Sequence, residues 1–321
     1  VPRIDYTGGG CPHILAEPQR TNLIPYSEDF TAGSWSSFSV GTTPTLTSGF
    51  TAPDGSSNAY KISNPNKDSL WGYDGVANTN YARTIYARTV SGTGTISLLS
   101  KNGNADNVFT LTESWQRFEV NTAALVPTIF YAVDFRVSGN LTELLIWGGQ
   151  SEVGSYATSY IPNFGTALGV TRNQDIFTRD GIGSLINSTE GVLFLEASTL
   201  SDGSGGAVSV SDGTSSNYIY LYFHPSGTKI VAKIVVGGIT KMDKNILAID
   251  ETLNNKFAFK YNATEFAVWV NGSEVTTEVG FAFPSDTLNR LGFDNGAGST
   301  PFYGKVKQLQ VYDTALTDTQ L

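Results

Sequence analysis

Few residues of this sequence combine the side-chain type and the spacing that acid–base or nucleophilic catalysis requires. The chain has two histidines, His13 and His224, and one cysteine, Cys11, and no Gly-x-Ser-x-Gly elbow occurs. Glu190 and Glu196 are six residues apart, which places them on one face of a strand, but Glu190 begins that strand, where a solvated carboxylate is expected. We therefore predict no catalytic residue and no enzyme activity.

Aromatic side chains offer better candidates for binding chemistry. Trp71, Tyr73 and Asp74 follow a polar, loop-like stretch, and a sugar ring stacks its C–H face on Trp or Tyr while a nearby carboxylate fixes its hydroxyls. We predict these three as carbohydrate-binding residues, with plain packing as the alternative. Trp35 is a further candidate that could instead cover a sandwich edge. Trp269 lies opposite the apolar face of its strand, as either a packing residue or an exposed platform.

Three Asp-containing turns resemble fragments of calcium-binding loops. They begin at Asp202, Asp212 and Asp294, but none continues with the alternate oxygen ligands that a full calcium loop has. Ordinary turn chemistry accounts for Asp at these positions. We predict no metal site and no cofactor from side chains, while a structural calcium held by backbone carbonyls would leave no sequence signature.

Composition predicts a β-rich chain with many turns and almost no helix. Gly occurs 34 times, Met once, and aromatic residues make up 12% of the chain; aromatic side chains favour strands and Gly favours turns. The length of 321 residues suffices for two domains. Cys11 has no second cysteine to pair with, so the chain has no intrachain disulfide.

Charge and hydropathy exclude two classes of partner. The formal net charge is −9 and the sequence pI is about 4.7, whereas a nucleic-acid groove needs clustered Lys and Arg. No apolar run approaches the roughly 20 residues of a membrane-spanning helix. We predict no nucleic-acid partner and no membrane insertion. Because the chain opens Val-Pro-Arg without an initiator Met, we expect it to be a piece of a longer protein.

The C-terminal region has the clearest strand pattern. FAVWV at residues 266–270 alternates apolar faces, and Asn271-Gly272 supplies the two positive-φ positions of a tight hairpin. Farther on, Val306, Leu309 and Val311 do not keep strict alternation, which predicts a bulge near Lys307.

This order of strands resembles the closing half of laminin G-like, concanavalin A-like jelly-roll domains. The resemblance rests on FAVWVNG at residues 266–272, LNRLGF at 288–293 and VYDTALT at 311–317. It implies a β-sandwich that binds glycans or proteins through its surface. Enzymes on this scaffold carry a Glu-x-Asp-x-x-Glu strand or a Gln-x-His strand, and neither string occurs here.

The N-terminal half resembles tail-fibre and virion-surface proteins of bacteriophages and prophages. The leader strings are PRIDY at 2–6, GGGCP at 8–12 and EPQRTNL at 17–23. YSEDF at 26–30, APDGS at 52–56, SWQR at 114–117 and YATSYIP at 156–162 are similar to a carbohydrate-binding-module-like jelly roll of such fibres. These resemblances imply a place on the virion surface or otherwise outside the cell.

We predict an all-β chain of two tandem antiparallel β-sandwiches (jelly rolls), the second concanavalin A-like and laminin G-like. Residues 1–22 are predicted as a leader, 23–163 as the carbohydrate-binding-module-like jelly roll, 164–186 as a linker, and 187–321 as the laminin G-like domain.

The predicted function is non-enzymatic attachment of a phage tail fibre or virion-surface protein to host surface polysaccharide. The expected partners are a host surface glycan, other virion or fibre proteins, and further copies of the chain in a homo-oligomer, as in a trimeric fibre. Two alternatives stay open: glycan-targeting modules of a secreted bacterial polysaccharide-degrading enzyme, and a structural virion decoration protein.

Overall fold

The structure is a computed structural model that describes residues 3–6, 11–75, 81–100, 107–122, 129–201, 203–227, 229–247 and 249–321. Within these residues the regular structure consists of β-strands and one 3₁₀ turn at Gly183–Leu185, so the predicted all-β class is confirmed. No helix in this part of the chain is long and apolar enough to span a bilayer. Residues 8–10 of the leader and Asp202 lie outside the described residues.

The strands belong to two compact units. The bipartite unit contains Val1–Pro18 and Gln174–Leu321, and the contiguous unit contains Gln19–Asn173. Each unit has two principal sheets whose strand pairs are antiparallel, and this confirms the predicted β-sandwiches.

The bipartite unit has a seven-stranded and a six-stranded sheet, whose strands are numbered along the chain and follow one another in space in the order below. The first consists of β1 (Arg3–Asp5), β2 (His13–Ala16), β25 (Gly304–Tyr312), β16 (Gly191–Thr199), β21 (Asn255–Tyr261), β22 (Glu265–Val270) and β23 (Ser273–Val279). The second consists of β15 (Thr178–Arg179), β24 (Arg290–Gly292), β17 (Gly206–Ser211), β18 (Tyr218–Phe223), β19 (Lys229–Val236) and β20 (Ile239–Leu247).

The core of the bipartite unit lies between these two sheets. Along β18, Ile219, Leu221 and Phe223 are completely buried and pack with residues of the seven-stranded sheet such as Phe257 and Phe259. Burying a side chain of this size stabilises the fold by about 1.5–3 kcal/mol. Because strand side chains alternate, the residues between them must face away from the core.

Two predicted details of the C-terminal strands are confirmed. Asn271 and Gly272 have φ angles of 52° and 79°, the left-handed pair of a tight hairpin between β22 and β23. In the ladder between β16 and β25, Glu196 pairs with Gln308 and Ala197 with Val306. Lys307 is therefore the extra residue of a bulge, and its ammonium lies 2.7 Å from the Glu196 carboxylate.

The contiguous unit has two five-stranded sheets. The first consists of β10 (Val108–Leu111), β9 (Gly94–Leu98), β12 (Ile129–Asp134), β7 (Leu70–Asp74) and β4 (Trp35–Ser37). The second consists of β11 (Gln116–Thr122), β8 (Tyr81–Arg88), β13 (Glu143–Val153), β6 (Ala59–Ser63) and β5 (Thr45–Phe50). A short pair, β3 (Arg20–Asn22) with β14 (Val170–Arg172), brings the two ends of the unit together.

A buried asparagine fixes this closure. The side-chain amide of Asn22 donates to the carbonyls of Gly149 (3.3 Å) and Ile161 (2.8 Å), and its carbonyl accepts from the backbone N–H groups of Ile24 and Ser151. A fully buried Asn needs such partners because an unpaired polar group costs about 1–3 kcal/mol.

The leader differs from the predicted division of the chain. Residues up to Pro18 join the bipartite unit, since β1 pairs with β2 and β2 pairs with β25. Arg3 holds the hairpin through an ion pair with the buried Glu17 (2.6 Å) and a second one with Asp175. Within the predicted linker, β14 belongs to the contiguous unit and β15 to the bipartite unit.

We predict that the leader is a stabilising part of the bipartite unit. Ala16 is completely buried on β2 beside Gly304, so Ala16→Asp places an unpaired charge in the core and lowers the free energy of unfolding by about 3 kcal/mol or more. Ala263→Asp, in an exposed turn, is the matched control and changes stability by less than about 0.5 kcal/mol. Equal chemical-denaturation midpoints for the two variants would contradict this role.

Candidate functional site

The aromatic residues predicted to stack on sugars in the contiguous unit lie in its core. Trp71 and Tyr73 are on β7 and Trp35 is on the adjacent β4, and their side chains are 8%, 7% and 5% exposed. The indole N–H of Trp71 donates to the Phe30 carbonyl (3.1 Å), and that of Trp35 donates to the Tyr26 carbonyl (2.8 Å). The loop expected around Trp71 is in fact a strand between β12 and β4.

This burial corrects the predicted roles of the three rings as stacking platforms. Stacking needs an exposed ring face, whereas Trp35 packs edge-on against Tyr73 with ring centroids 5.3 Å apart. Asp74, at the end of β7, is exposed, and residues 76–80 that follow lie outside the described chain. The structure thus brings Trp35, Trp71 and Tyr73 together as core and does not place Asp74 with exposed aromatic residues.

A stability measurement separates core packing from sugar stacking at Trp71. Trp71→Ala removes a buried indole and should cost about 3–5 kcal/mol of unfolding free energy. Phe164→Ala, which truncates an aromatic ring that is 75% exposed in the same unit, should cost less than about 1 kcal/mol. Urea titrations of both variants provide the test, and a Trp71→Ala protein as stable as Phe164→Ala would refute the core assignment.

Trp269 has a packing role in the bipartite unit. Its ring is 5% exposed on the outer face of the seven-stranded sheet, where it clusters with Val192, Ala258 and Ala267. Leu316 and Leu321 pack against this cluster, and the Lys260 ammonium lies 5.6 Å from the indole centroid. The indole edge borders a cavity of about 510 Å³, but it offers no broad exposed face. Of the two predicted alternatives, the structure therefore gives packing.

The candidate site is a row of tyrosines on the outer face of the six-stranded sheet. Tyr218, Tyr220 and Tyr222 occupy alternate positions of β18, are half-buried, and point away from the core residues between them. The rings of Tyr218 and Tyr220 are parallel, with centroids 5.1 Å apart, and Tyr222 follows at 6.0 Å. We call these three residues the tyrosine row.

Neighbouring strands supply the surroundings of the tyrosine row. Val235 and Val231 on β19 lie opposite Tyr218 and Tyr222 and are buried, which gives the row an apolar flank. On the other side, Ser209 of β17 lies opposite Tyr220, and its buried hydroxyl has no hydrogen-bond partner among the described residues.

Two loops close one end of the row and form the tyrosine cleft. Besides the row, the cleft is lined by Ser215, Asn295 and Thr300 and has a volume of about 240 Å³. This is smaller than the roughly 300–1,000 Å³ of a drug-sized pocket, as expected of a shallow surface site.

An Asp side chain organises each of the two loops. Asp212 accepts from the Thr214 backbone N–H (2.8 Å) and the Asn217 amide (2.8 Å), which shapes the turn before β18. Asp294 accepts from the Arg290 guanidinium (2.8 Å) and the Gly296 N–H (2.7 Å), which shapes the turn that carries Asn295. Both carboxylates are therefore committed to the local backbone.

Burial sets the protonation state of the row. It raises the pKa of Tyr220 well above the usual value, with further contributions from Tyr218, Asp243 and Tyr222. Burial also raises the pKa of Tyr218, although Lys233 opposes this. The phenols therefore stay protonated at neutral pH and can donate hydrogen bonds to a ligand.

The other side chains considered for chemistry serve structural contacts. Among the described residues, no group of three or more His, Cys, Asp or Glu side chains could hold a metal ion. Glu196 is paired with Lys307, and Glu190 accepts from the Ala315 N–H (3.2 Å). His224 lies in the turn after β18, where its Nδ1 accepts from the Ser226 N–H (3.1 Å).

Comparison with known proteins bears on the fold of the bipartite unit. Residues 196–321 match the family model Laminin_G_3, the concanavalin A-like lectin/glucanases superfamily. The bipartite unit has the concanavalin A-like fold. No curated protein matches the sequence.

Several solved structures are similar to part of the chain at low identity. The NanB sialidase of Streptococcus pneumoniae is 16% identical over 45% of this chain and 25% of its own, with a TM-score of 0.36. This chain thus spans a quarter of the sialidase's length. Domain 4 of the Geobacillus stearothermophilus arabinanase AbnA is 16% identical over 46% and 79% (TM-score 0.35). The Caenorhabditis elegans galectin LEC-6 is 15% identical over 43% and 89% (TM-score 0.31).

Sequence reasoning missed the tyrosine row, although its signal is present. Residues 218–223 read YIYLYF, so rings with a polar tip alternate with purely apolar side chains. In a strand with one buried face, that alternation puts the tyrosines on the outer face of the concanavalin A-like unit.

The Asp294 anchor gives a pH dependence that can be measured. Burial alone would raise the pKa of Asp294, but hydrogen bonds from Arg290 and from the N–H groups of Gly296 and Gly298 outweigh it and lower the pKa below the ordinary 3.8. The stability that this carboxylate contributes is therefore fully present above pH 3.8 and is lost as the pH falls towards the lower folded-state value.

Asp294→Asn should lower the stability at pH 7 by about 3 kcal/mol, because Arg290 loses its charged partner. The variant should also lose less additional stability than the parent below about pH 4, since the amide does not titrate. Asp286→Asn, at an exposed carboxylate of the same unit, is the control and should leave the acid dependence unchanged. Parallel acid profiles of the parent and Asp294→Asn would contradict the anchor.

Proposed function

We propose that this chain is a non-enzymatic glycan-binding segment of a phage tail fibre or virion-surface protein that attaches to host surface polysaccharide. The observation that carries the proposal is the tyrosine row, three half-buried phenols on the outer face of a concanavalin A-like sheet. Sugars present many hydroxyls, and a line of phenol O–H groups with an apolar flank matches them in polarity.

The non-enzymatic part of the proposal rests on how the acidic side chains are used. Acid–base hydrolysis of a glycoside needs two carboxyl groups on either side of the scissile bond. Asp212 and Asp294 are bound within their own loops, and Asp243 is paired with Lys233 at 2.9 Å. These three carboxylates beside the cleft thus serve the structure.

The virion location rests on the leader and jelly-roll strings that resemble phage fibre proteins. A shallow site of this kind binds one glycan weakly, and several copies in a homo-oligomer, as in a trimeric fibre, would strengthen attachment through multivalency. Glycan-targeting modules of a secreted polysaccharide-degrading enzyme are the second candidate, because the same cleft would serve there. A structural virion decoration protein is the third.

Glycan binding through the tyrosine row can be tested on a glycan array and by calorimetry. Each phenol hydroxyl that bonds the ligand should contribute about 1 kcal/mol, so Tyr220→Phe should weaken binding roughly fivefold and the triple Tyr218→Phe, Tyr220→Phe, Tyr222→Phe variant should abolish it. Tyr312→Phe, on the seven-stranded sheet, is the matched control and should bind normally.

The same reagents test the absence of catalysis. Incubation with the bound glycan should release no reducing ends and no unsaturated product. Sustained turnover that a single Glu or His substitution abolishes would overturn the non-enzymatic assignment. Glycan binding that survives the triple variant unchanged would move the site away from the tyrosine row, and the absence of any glycan ligand would favour the decoration protein.

A further inference from the structure

The charged side chains on the two flanks of the tyrosine row are engaged in ion pairs. Lys233 lies directly opposite Tyr220 on β19, and its ammonium is 2.9 Å from the Asp243 carboxylate on β20. On the other flank, the Arg290 guanidinium is bound by Asp294 and lies 3.1 Å from Asp180. Both of these cations therefore already have a carboxylate partner.

The groups that line the tyrosine cleft itself are uncharged. They are the three phenols, the hydroxyls of Ser215 and Thr300, and the amide of Asn295. A uronate or sulfate brought to this surface would find no cation without a partner among these lining residues. Desolvating an unpaired charge is costly, and the net charge of −9 adds a long-range repulsion towards polyanions.

The row also has a direction and a length. His224 continues it beyond Tyr222, with ring centroids 5.6 Å apart, so aromatic rings occupy four alternate positions from residue 218 to residue 224. At about 3.3 Å per residue these positions span roughly 20 Å, which exceeds a single sugar ring several times. The loops that carry Ser215 and Asn295 border the cleft at the Tyr218 end.

We infer that the cleft takes an uncharged, linear oligosaccharide that lies along β18, and that the Lys233–Asp243 ion pair enforces this selectivity. The inference rests on the proposed glycan-binding function and specifies its ligand class. Asp243 withholds the ammonium of Lys233 from a ligand, so an acidic sugar gains no charge-assisted hydrogen bond to offset its lost hydration. A chain that covers more of the row makes more contacts, so affinity should rise with the number of sugar units.

The experiment compares neutral and acidic oligosaccharides of matched length. Laminarin- and cellulose-derived dimers and hexamers are the neutral probes, and alginate and hyaluronan fragments of the same lengths are the acidic ones, all titrated at about 150 mM salt, where the Debye length is about 8 Å. The parent chain should bind at least one neutral hexamer roughly tenfold more tightly than its dimer and should show no saturable binding of the acidic series.

A single substitution should shift this selectivity. Asp243→Asn frees the Lys233 ammonium, and affinity for an acidic hexamer should rise roughly tenfold while affinity for the neutral hexamer changes less than about twofold. Asp286→Asn removes an exposed carboxylate elsewhere on the unit and is the charge-matched control, which should alter neither affinity.

The outcomes separate the two proposals. Acidic oligosaccharides that bind the parent chain, and lose binding in the triple tyrosine variant, would overturn the neutral-ligand inference while the proposed function stands. No binding of either series that depends on the tyrosine row would overturn both. Equal affinity of dimer and hexamer would refute the alignment along β18.

Discussion

The alternation of side chains along β18 is the constraint on which the candidate site depends. Ile219, Leu221 and Phe223 are completely buried against the other sheet, and a slip of one residue would exchange them for the tyrosines. With about 1.5–3 kcal/mol for each buried side chain, such a slip is strongly disfavoured. The same packing that stabilises the core therefore holds three phenols in a fixed line on the outer face, which reduces the entropy lost when a ligand binds.

Acidic residues beside the tyrosine cleft serve as local structural anchors. Asp212 and Asp294 each satisfy backbone N–H groups of a loop that borders the cleft, while Asp243 neutralises Lys233 on its flank. A carboxylate that accepts several hydrogen bonds has little capacity left for a substrate or a metal ion. This use of charge gives the concanavalin A-like face a hydroxyl-rich, electrically neutral lining, and it ties the shape of the cleft to the same groups that set the acid stability of the unit.

The two sandwiches use their aromatic residues in different ways. In the contiguous unit Trp35, Trp71 and Tyr73 fill the space between sheets, and their indole N–H groups bond to backbone carbonyls within the core. In the bipartite unit phenylalanines fill the core, and tyrosines lie on the outer face of β18. A Trp buries more area than a Tyr but needs only one acceptor, so it suits a core that offers a carbonyl, whereas the phenol hydroxyl is best placed at solvent.

The sequence alone determined the all-β class, the pair of sandwiches, the hairpin at Asn271-Gly272 and the bulge at Lys307, because strand alternation and turn chemistry act between neighbours in the chain. The exposure of a given ring was decided only in the tertiary structure. Trp71 stands in a polar stretch and is nevertheless buried, because β12 and β4 pair with its strand on both sides. The leader joined the bipartite unit for the same reason, since β2 pairs with β25 from the far end of the chain. Burial depends on which distant strands become neighbours, and local sequence patterns do not specify that pairing.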